Sequence, residues 1–63
     1  MKKDFPTILQ NKMNEKNITK AELARAIDVT DTSISRYVKG TAKPKPIYLE
    51  RIAKVLGCSI EDF

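Results

Sequence analysis

The sequence has no histidine and no tryptophan, and its 63 residues include one cysteine, Cys58, and two isolated glycines. A single cysteine cannot form a disulfide within the chain, and without histidine a His/Cys zinc site is excluded. Two isolated glycines do not provide a glycine-rich phosphate loop, and no pair of carboxylates stands out as an acid and a base. The composition therefore predicts no cofactor, no metal and no small-molecule substrate, and it argues against an enzyme.

Long apolar runs are also missing from the sequence. No stretch approaches the ~18 apolar residues of a membrane span. Lys2 and Lys3 are followed by Asp4, Phe5 and Pro6 rather than by the apolar run of a signal peptide. A lone thiol is compatible with a reducing compartment. We therefore expect a cytoplasmic protein without a membrane segment, and a chain this short suggests that residues 1–63 form one domain with a small core.

Acidic residues are absent from one internal segment. Residues 32–49 contain Arg36, Lys39, Lys43 and Lys45 and no acid, whereas residues 1–31 carry six cationic and five acidic side chains, and residues 50–63 carry two and three. The net charge of +4 thus originates in this segment. A local basic patch suits a phosphate-bearing partner, although four such charges alone also fit a solvated basic loop.

Capping residues and turn signals divide the chain into five predicted helices. Asp4 is expected to cap the first, and Pro6 fits its first turn. Thr19 and Glu22 have the spacing of a capping box at the start of the second. Apolar residues recur at helical spacing after each cap, and no strand pattern is present. The predicted helices cover residues 5–16, 20–27, 31–39, 47–56 and 60–63, which is an all-α fold.

The third predicted helix has an apolar side and a polar side. At 100° per residue Ile34, Tyr37 and Val38 fall together. The opposite side and its flanks carry short hydroxyl side chains and cations: Thr32, Ser33, Ser35, Arg36 and Lys39. Three residues separate this helix from the second, whose Ala24 lets another helix cross closely. Two helices so joined form a helix-turn-helix, of which the second enters the major groove of DNA, and we predict this unit over residues 19–39.

The residues of this unit resemble a known family. Residues 20–30, KAELARAIDVT, and residues 34–40, ISRYVKG, are similar to the Cro and repressor-type (XRE-like) helix-turn-helix family, which includes phage repressor DNA-binding domains. Residues 49–59, LERIAKVLGCS, resemble its closing half, so the similarity covers nearly the whole chain after Phe5. The resemblance implies a five-helix, lambda-repressor-like fold with the helix-turn-helix at helices 2 and 3. It also implies a transcriptional regulator, in particular a repressor of phage or bacterial source, bound as a homodimer to a near-palindromic operator in double-stranded DNA.

Two positions depart from the family pattern. Asp28 stands in the turn where the family commonly has glycine, and because aspartate tolerates the left-handed conformation better than most residues, we expect the turn to form. Lys20 stands where the family often has a glutamine that touches phosphate, and we expect the lysine to contact phosphate as a point charge.

When the family's base-contacting positions are transferred to this sequence, the resemblance implies base contacts from Asp31, Thr32, Ser35 and Arg36. Arg36 is the strongest of these predictions, because arginine bound to the O6 and N7 atoms of guanine is the commonest specific contact. Asp31 has two readings of equal weight, which are base readout and a favourable interaction with the helix dipole of ~0.5 kcal/mol. Contacts to the DNA backbone are expected from six residues: Lys20, Ser33, Lys39, Thr41, Lys43 and Lys45.

A protein-interaction module, such as an antitoxin or co-activator domain, is the alternative from another functional class. Exposed leucine, methionine or aromatic residues on the third helix would favour a protein partner, whereas its polar outer face favours DNA. Ile60 and Phe63 share one helical face near the C-terminus. They either form a two-fold contact or close the core, and the core is the favoured place for Ile60.

Overall fold

Four α-helices and one short 3-10 helix account for the regular structure of residues 4–63, the part of the chain that the computed structural model describes. The α-helices are α1 (Phe5–Glu15), α2 (Lys20–Ile27), α3 (Asp31–Lys39) and α4 (Pro46–Leu56), and the 3-10 helix is Ile60–Asp62. The predicted all-α class is confirmed for this region, which has no strand. None of its helices has both the length and the hydropathy needed to cross a bilayer.

Side-chain caps define where α1 and α2 begin. The Asp4 carboxylate accepts a hydrogen bond from the backbone N–H of Thr7 at 3.2 Å. The Thr19 hydroxyl accepts from the N–H of Glu22, and the Glu22 carboxylate accepts from the N–H of Thr19, both at 3.1 Å. These bonds satisfy N–H groups that have no partner within the helix, and they therefore stabilise the two helix starts. Because each cap is local, the sequence indicates both helix starts.

Among the four α-helices, one start and one end differ from the expected bounds by one residue. Pro46, expected in the preceding loop, is the first residue of α4. A proline is well suited to this position, because its ring fixes φ near the helical value and its missing N–H would have no helical partner there. Lys45 precedes the helix and makes no side-chain cap hydrogen bond. α1 ends at Glu15, and Lys16 caps it.

The expectation of a fifth α-helix is not met within residues 4–63. Ile60–Asp62 is one turn of 3-10 helix, in which the N–H of Asp62 donates to the carbonyl of Ser59 and the N–H of Phe63 donates to that of Ile60. The Ser59 hydroxyl accepts from Glu61, and the Asp62 carboxylate accepts from the N–H of Ser59. These bonds all span two or three residues, which gives the tighter 3-10 geometry instead of an α-helix.

The core lies between the four α-helices. α2 packs against both α3 and α4, and α1 packs against α3. Ala24 is buried in α2, where its small side chain permits a close approach between helices. Burial of one large aliphatic side chain contributes roughly 1.5–3 kcal/mol. The largest fully buried side chains are Leu9, Met13, Leu23, Ile27, Ile34, Ile52 and Leu56.

An aromatic contact joins the beginning of α1 to the last residue. The ring centroids of Phe5 and Phe63 lie 5.2 Å apart with a tilt of 50°, a separation typical of favourable aromatic pairs. The Lys12 ammonium lies 5.9 Å from the Phe63 ring centroid. Ile60 is 40% exposed, so the expectation that it closes the core is wrong. The 3-10 turn directs Phe63, not Ile60, toward the core.

Candidate nucleic-acid interface

The connection between α2 and α3 is a three-residue turn that starts at Asp28. Asp28 has φ 65° and ψ 48°, which is the left-handed conformation expected at this position. The backbone N–H groups of Asp28 and Val29 both donate to the carbonyl of Ala24. Thr30 then accepts from the N–H of Ser33 at 3.2 Å and caps α3. The turn therefore forms with aspartate in place of glycine.

α3 separates apolar and polar side chains by face. Ile34 is fully buried and Tyr37 is 8% exposed, so the inner face is apolar as expected. Val38 is half-buried and packs against the core. The predicted contact residues of α3 lie at its exposed or half-exposed positions: Asp31, Thr32, Arg36 and Lys39 are exposed, and Ser33 and Ser35 are half-buried. Every predicted base-contacting side chain is thus accessible to a partner in at least part of its surface.

A hydroxyl pair stands at the N-terminus of α3. The Oγ atoms of Thr30 and Ser33 are 3.1 Å apart, and Thr30 Oγ1 already accepts from the Ser33 N–H. When Thr30 donates its hydrogen to Ser33, the Ser33 hydrogen is free for an outside acceptor. This arrangement suits the predicted backbone contact of Ser33, because a phosphate oxygen accepts and never donates.

Thr41, at the end of α3, makes two hydrogen bonds within the protein. Gly40 has φ 83° and ends the helix, and the Thr41 N–H donates to the carbonyl of Arg36 at 3.0 Å. The Thr41 hydroxyl donates to the same carbonyl at 3.3 Å. Its single hydrogen is therefore already in use, and a phosphate contact from this hydroxyl requires that bond to break. A contact from the Thr41 hydroxyl to the DNA backbone thus has an energetic cost that the predicted lysine contacts do not have.

The predicted cationic contacts fall into separate groups. Lys39 and Lys43 line one open groove of about 580 Å³ between the end of α3 and the beginning of α1. Lys45 is exposed immediately before α4. Lys20 is the first residue of α2 and lines a different groove, of about 450 Å³, which also includes Thr19. The structure therefore places cations at the beginning of α2, at the end of α3 and in the loop after it.

Sequence reasoning missed the amide side chains beside Lys20. Gln10, Asn14 and Asn17 line the same groove, and Gln10 Nε2 donates to Asn14 Oδ1 at 3.1 Å. Two amides four residues apart on α1, just before the Thr19 cap, are the sequence signal that could have identified them. Amide groups both donate and accept hydrogen bonds, which suits contacts to a nucleic-acid backbone.

Hydrogen bonds lower the pKa of two carboxylates at helix N-termini. The Thr19 N–H, which donates to the Glu22 carboxylate, holds the pKa of Glu22 below its ordinary value. The hydrogen bonds from Thr7 likewise lower the pKa of Asp4. Both hydrogen bonds favour the ionised carboxylate, and each carboxylate lies at a helix N-terminus, where negative charge is favourable.

Comparison with known proteins supports this geometry. The family model described as Helix-turn-helix matches residues 9–63, which include α2, the turn, α3 and α4 in full. Neither the curated proteins nor the solved structures give a significant match. The match covers far more than half of the chain, and the chain therefore belongs to the Cro/repressor-type, XRE-like helix-turn-helix family of DNA-binding domains, which generally act in transcription regulation.

Proposed function

We propose that the protein is a sequence-specific transcriptional repressor, without enzymatic activity, that inserts α3 into the major groove of double-stranded DNA. The main support for this proposal is the division of α3 into two faces. Ile34 and Tyr37 lie on a buried apolar face, and Thr32 and Arg36 lie on an exposed face. A helix with short hydroxyl side chains and one arginine outward can reach base edges by hydrogen bonds. We also propose a bacterial or phage source and action in the cytoplasm.

In this proposal α2 holds α3 in place and α3 reads the sequence. Arg36 donates to the O6 and N7 atoms of a guanine, and Thr32 contacts a thymine methyl or a phosphate. Asp31 and Ser35 are the further candidates for base contacts. Lys20 neutralises a phosphate at the beginning of α2, where the helix dipole also favours negative charge.

In this proposal the DNA backbone that borders the major groove contacts the end of α3 and the following loop of the protein. Lys39 and Lys43 share one open groove, and Lys45 follows them in the chain. Such contacts carry no sequence information, but they fix the orientation of the protein on the duplex. Most of the affinity in this proposal comes from these lysines, whereas most of the base preference comes from α3.

We further propose that two copies bind one near-palindromic operator. A two-fold pair of helix-turn-helix domains places its reading helices ~34 Å apart, which is one turn of B-DNA. The protein measures 31 × 24 × 22 Å along its principal axes. These extents are of the same size as the spacing between the two reading helices in this proposal.

A protein partner is the second candidate for the main ligand. The exposed large apolar side chains within residues 4–63 are Ile47, Val55 and Ile60, all of them C-terminal to α3. A protein-interaction module of the antitoxin or co-activator kind would use these residues. The outer face of α3, by contrast, exposes no large apolar side chain, which favours DNA as the ligand of that face.

Selection of binding sites from a pool of random duplexes tests this proposal. We expect enrichment of a near-palindromic site, with affinity ~10³–10⁷-fold above that for a scrambled duplex. The symmetry of the site and the protein-to-DNA ratio of the complex report the oligomeric state. No enrichment, or equal affinity for the selected and scrambled duplexes, contradicts sequence-specific binding and leaves the protein partner as the main ligand.

A further inference from the structure

One side chain of α4 reaches the end of α2. The Nη1 atom of Arg51 donates to the backbone carbonyl of Ile27 at 3.1 Å, a contact between residues 24 positions apart in sequence. Ile27 is the last residue of α2 and is fully buried. The guanidinium carbon also lies 5.6 Å from the ring centroid of Tyr48, one turn earlier on α4. Arg51 is therefore held between its own helix and the helix that precedes the turn.

The Ile27 carbonyl is one of those at the end of α2 that have no partner within the helix. The turn's own N–H groups, those of Asp28 and Val29, donate to Ala24 instead. Arg51 supplies the missing donor, and its positive charge lies where the helix dipole is negative. The same hydrogen bond fixes the orientation of the peptide between Ile27 and Asp28, which is the first peptide of the turn.

We propose that Arg51 is a positioning residue for DNA recognition, which orients α3 through the turn and does not contact DNA. The inference rests on the proposed function of α3. Asp28 holds a left-handed conformation that few side chains favour, so the turn needs restraint from its surroundings. Base-contacting side chains must be placed within about 0.5 Å to act well. A small rotation of the first turn peptide moves all of α3, including Thr32 and Arg36.

The variants Arg51→Met and Arg51→Lys test this proposal, with Lys54→Met as the matched control. Lys54 is an exposed cation on the same helix, so its replacement removes the same charge without removing a bond to α2. Affinities are measured for the selected duplex and for duplexes with one base pair changed. The temperature is chosen so that circular dichroism shows every variant folded.

We expect Arg51→Met to reduce the preference for the selected duplex by about threefold to tenfold, which is within the net effect of losing one ordinary hydrogen bond. The salt dependence of binding stays unchanged. Arg51→Lys, which keeps a charged donor, restores part of the preference, and Lys54→Met leaves it intact. A merely structural role would lower the melting temperature and leave the ratio between duplexes as it was.

Two results overturn the proposal. An unchanged preference in Arg51→Met means that Arg51 does not position α3. A loss that is equal on all duplexes, with a salt slope shallower by about 0.9, means that Arg51 contacts a phosphate directly. If the wild-type protein has no preference, the proposed function fails independently. The positioning role is then judged on the free protein, where Arg51→Met must shift the amide NMR signals of Val29 and Thr30 and Lys54→Met must not.

Discussion

Arg36 is the side chain on which base preference depends most in the proposed complex. It is exposed on α3, and its backbone carbonyl is held by Gly40 and Thr41, so the helix end that supports it is well ordered by hydrogen bonds. Arg36→Ala is expected to weaken binding to the selected duplex by ~1–3 kcal/mol and to remove the preference at one base pair. Titration of duplexes that differ at single positions measures this.

The matched variant for this test is Arg36→Lys. It keeps the charge but loses the two-pronged geometry that recognises guanine. Lysine should therefore recover affinity on all duplexes and little of the preference. A uniform loss in Arg36→Ala, with the preference intact at every position, would identify Arg36 as a backbone anchor.

Glu22 makes the capping box of α2 sensitive to acid. The pKa of Glu22 is lowered in the folded protein, mainly by the hydrogen bond from the Thr19 N–H. A carboxylate whose pKa is lower in the folded chain than in the unfolded chain stabilises the fold at pH values above the unfolded pKa. The contribution of Glu22 is therefore complete above the ordinary pKa of 4.5, and it is lost as the pH falls through the lower folded pKa. We therefore expect the melting temperature to fall below about pH 4.5. The melting temperature of the Glu22→Gln variant should fall less over this pH range. Thermal unfolding of both proteins at a series of pH values measures the difference.

At the scale of the element, the turn between α2 and α3 contains a residue other than glycine in the left-handed conformation. Asp28 adopts φ 65°, a region that costs most residues other than glycine roughly 1–2 kcal/mol and aspartate less. Asp28→Gly should therefore raise the free energy of unfolding by about 0.5–1 kcal/mol. Asp28→Asn removes the same negative charge but keeps a side chain, so it separates conformation from electrostatics. Chemical denaturation of both variants measures the difference, and equal stability of the two would exclude strain as the cause.

Local signals explain how much of each element the sequence could predict. α2 and α3 have the bounds expected from Thr19, Thr30 and Gly40, because each cap involves residues close in the chain. The exposure of Ile60 follows from a distant contact, because Phe63 packs against Phe5, and no local pattern encodes that pairing. The bond from Arg51 to α2 joins residues 24 positions apart. An exposed arginine on an amphipathic helix gives no sequence signal for such a contact.

For the whole molecule, the fold determines how the segregated charge is presented. The acid-free segment of residues 32–49 extends from the outer face of α3 through the loop to α4. Its cations Arg36, Lys39, Lys43 and Lys45 are all exposed. The beginning of α1 lies beside this loop, and Lys39 and Lys43 line the groove between them. The sequence could locate this charge along the chain, but only the structure shows that two of the lysines share one groove.

This grouping leads to a prediction about salt. Each neutralised phosphate contributes about −0.9 to the slope of log K against log salt concentration. Lys39→Gln with Lys43→Gln should make the slope shallower by about 1.8 and weaken binding to all duplexes alike. The control, Lys16→Gln with Lys54→Gln, removes the same charge from two exposed lysines outside the acid-free segment. If both double variants change the slope equally, net charge alone governs binding, and the groove between α3 and α1 does not face the DNA backbone.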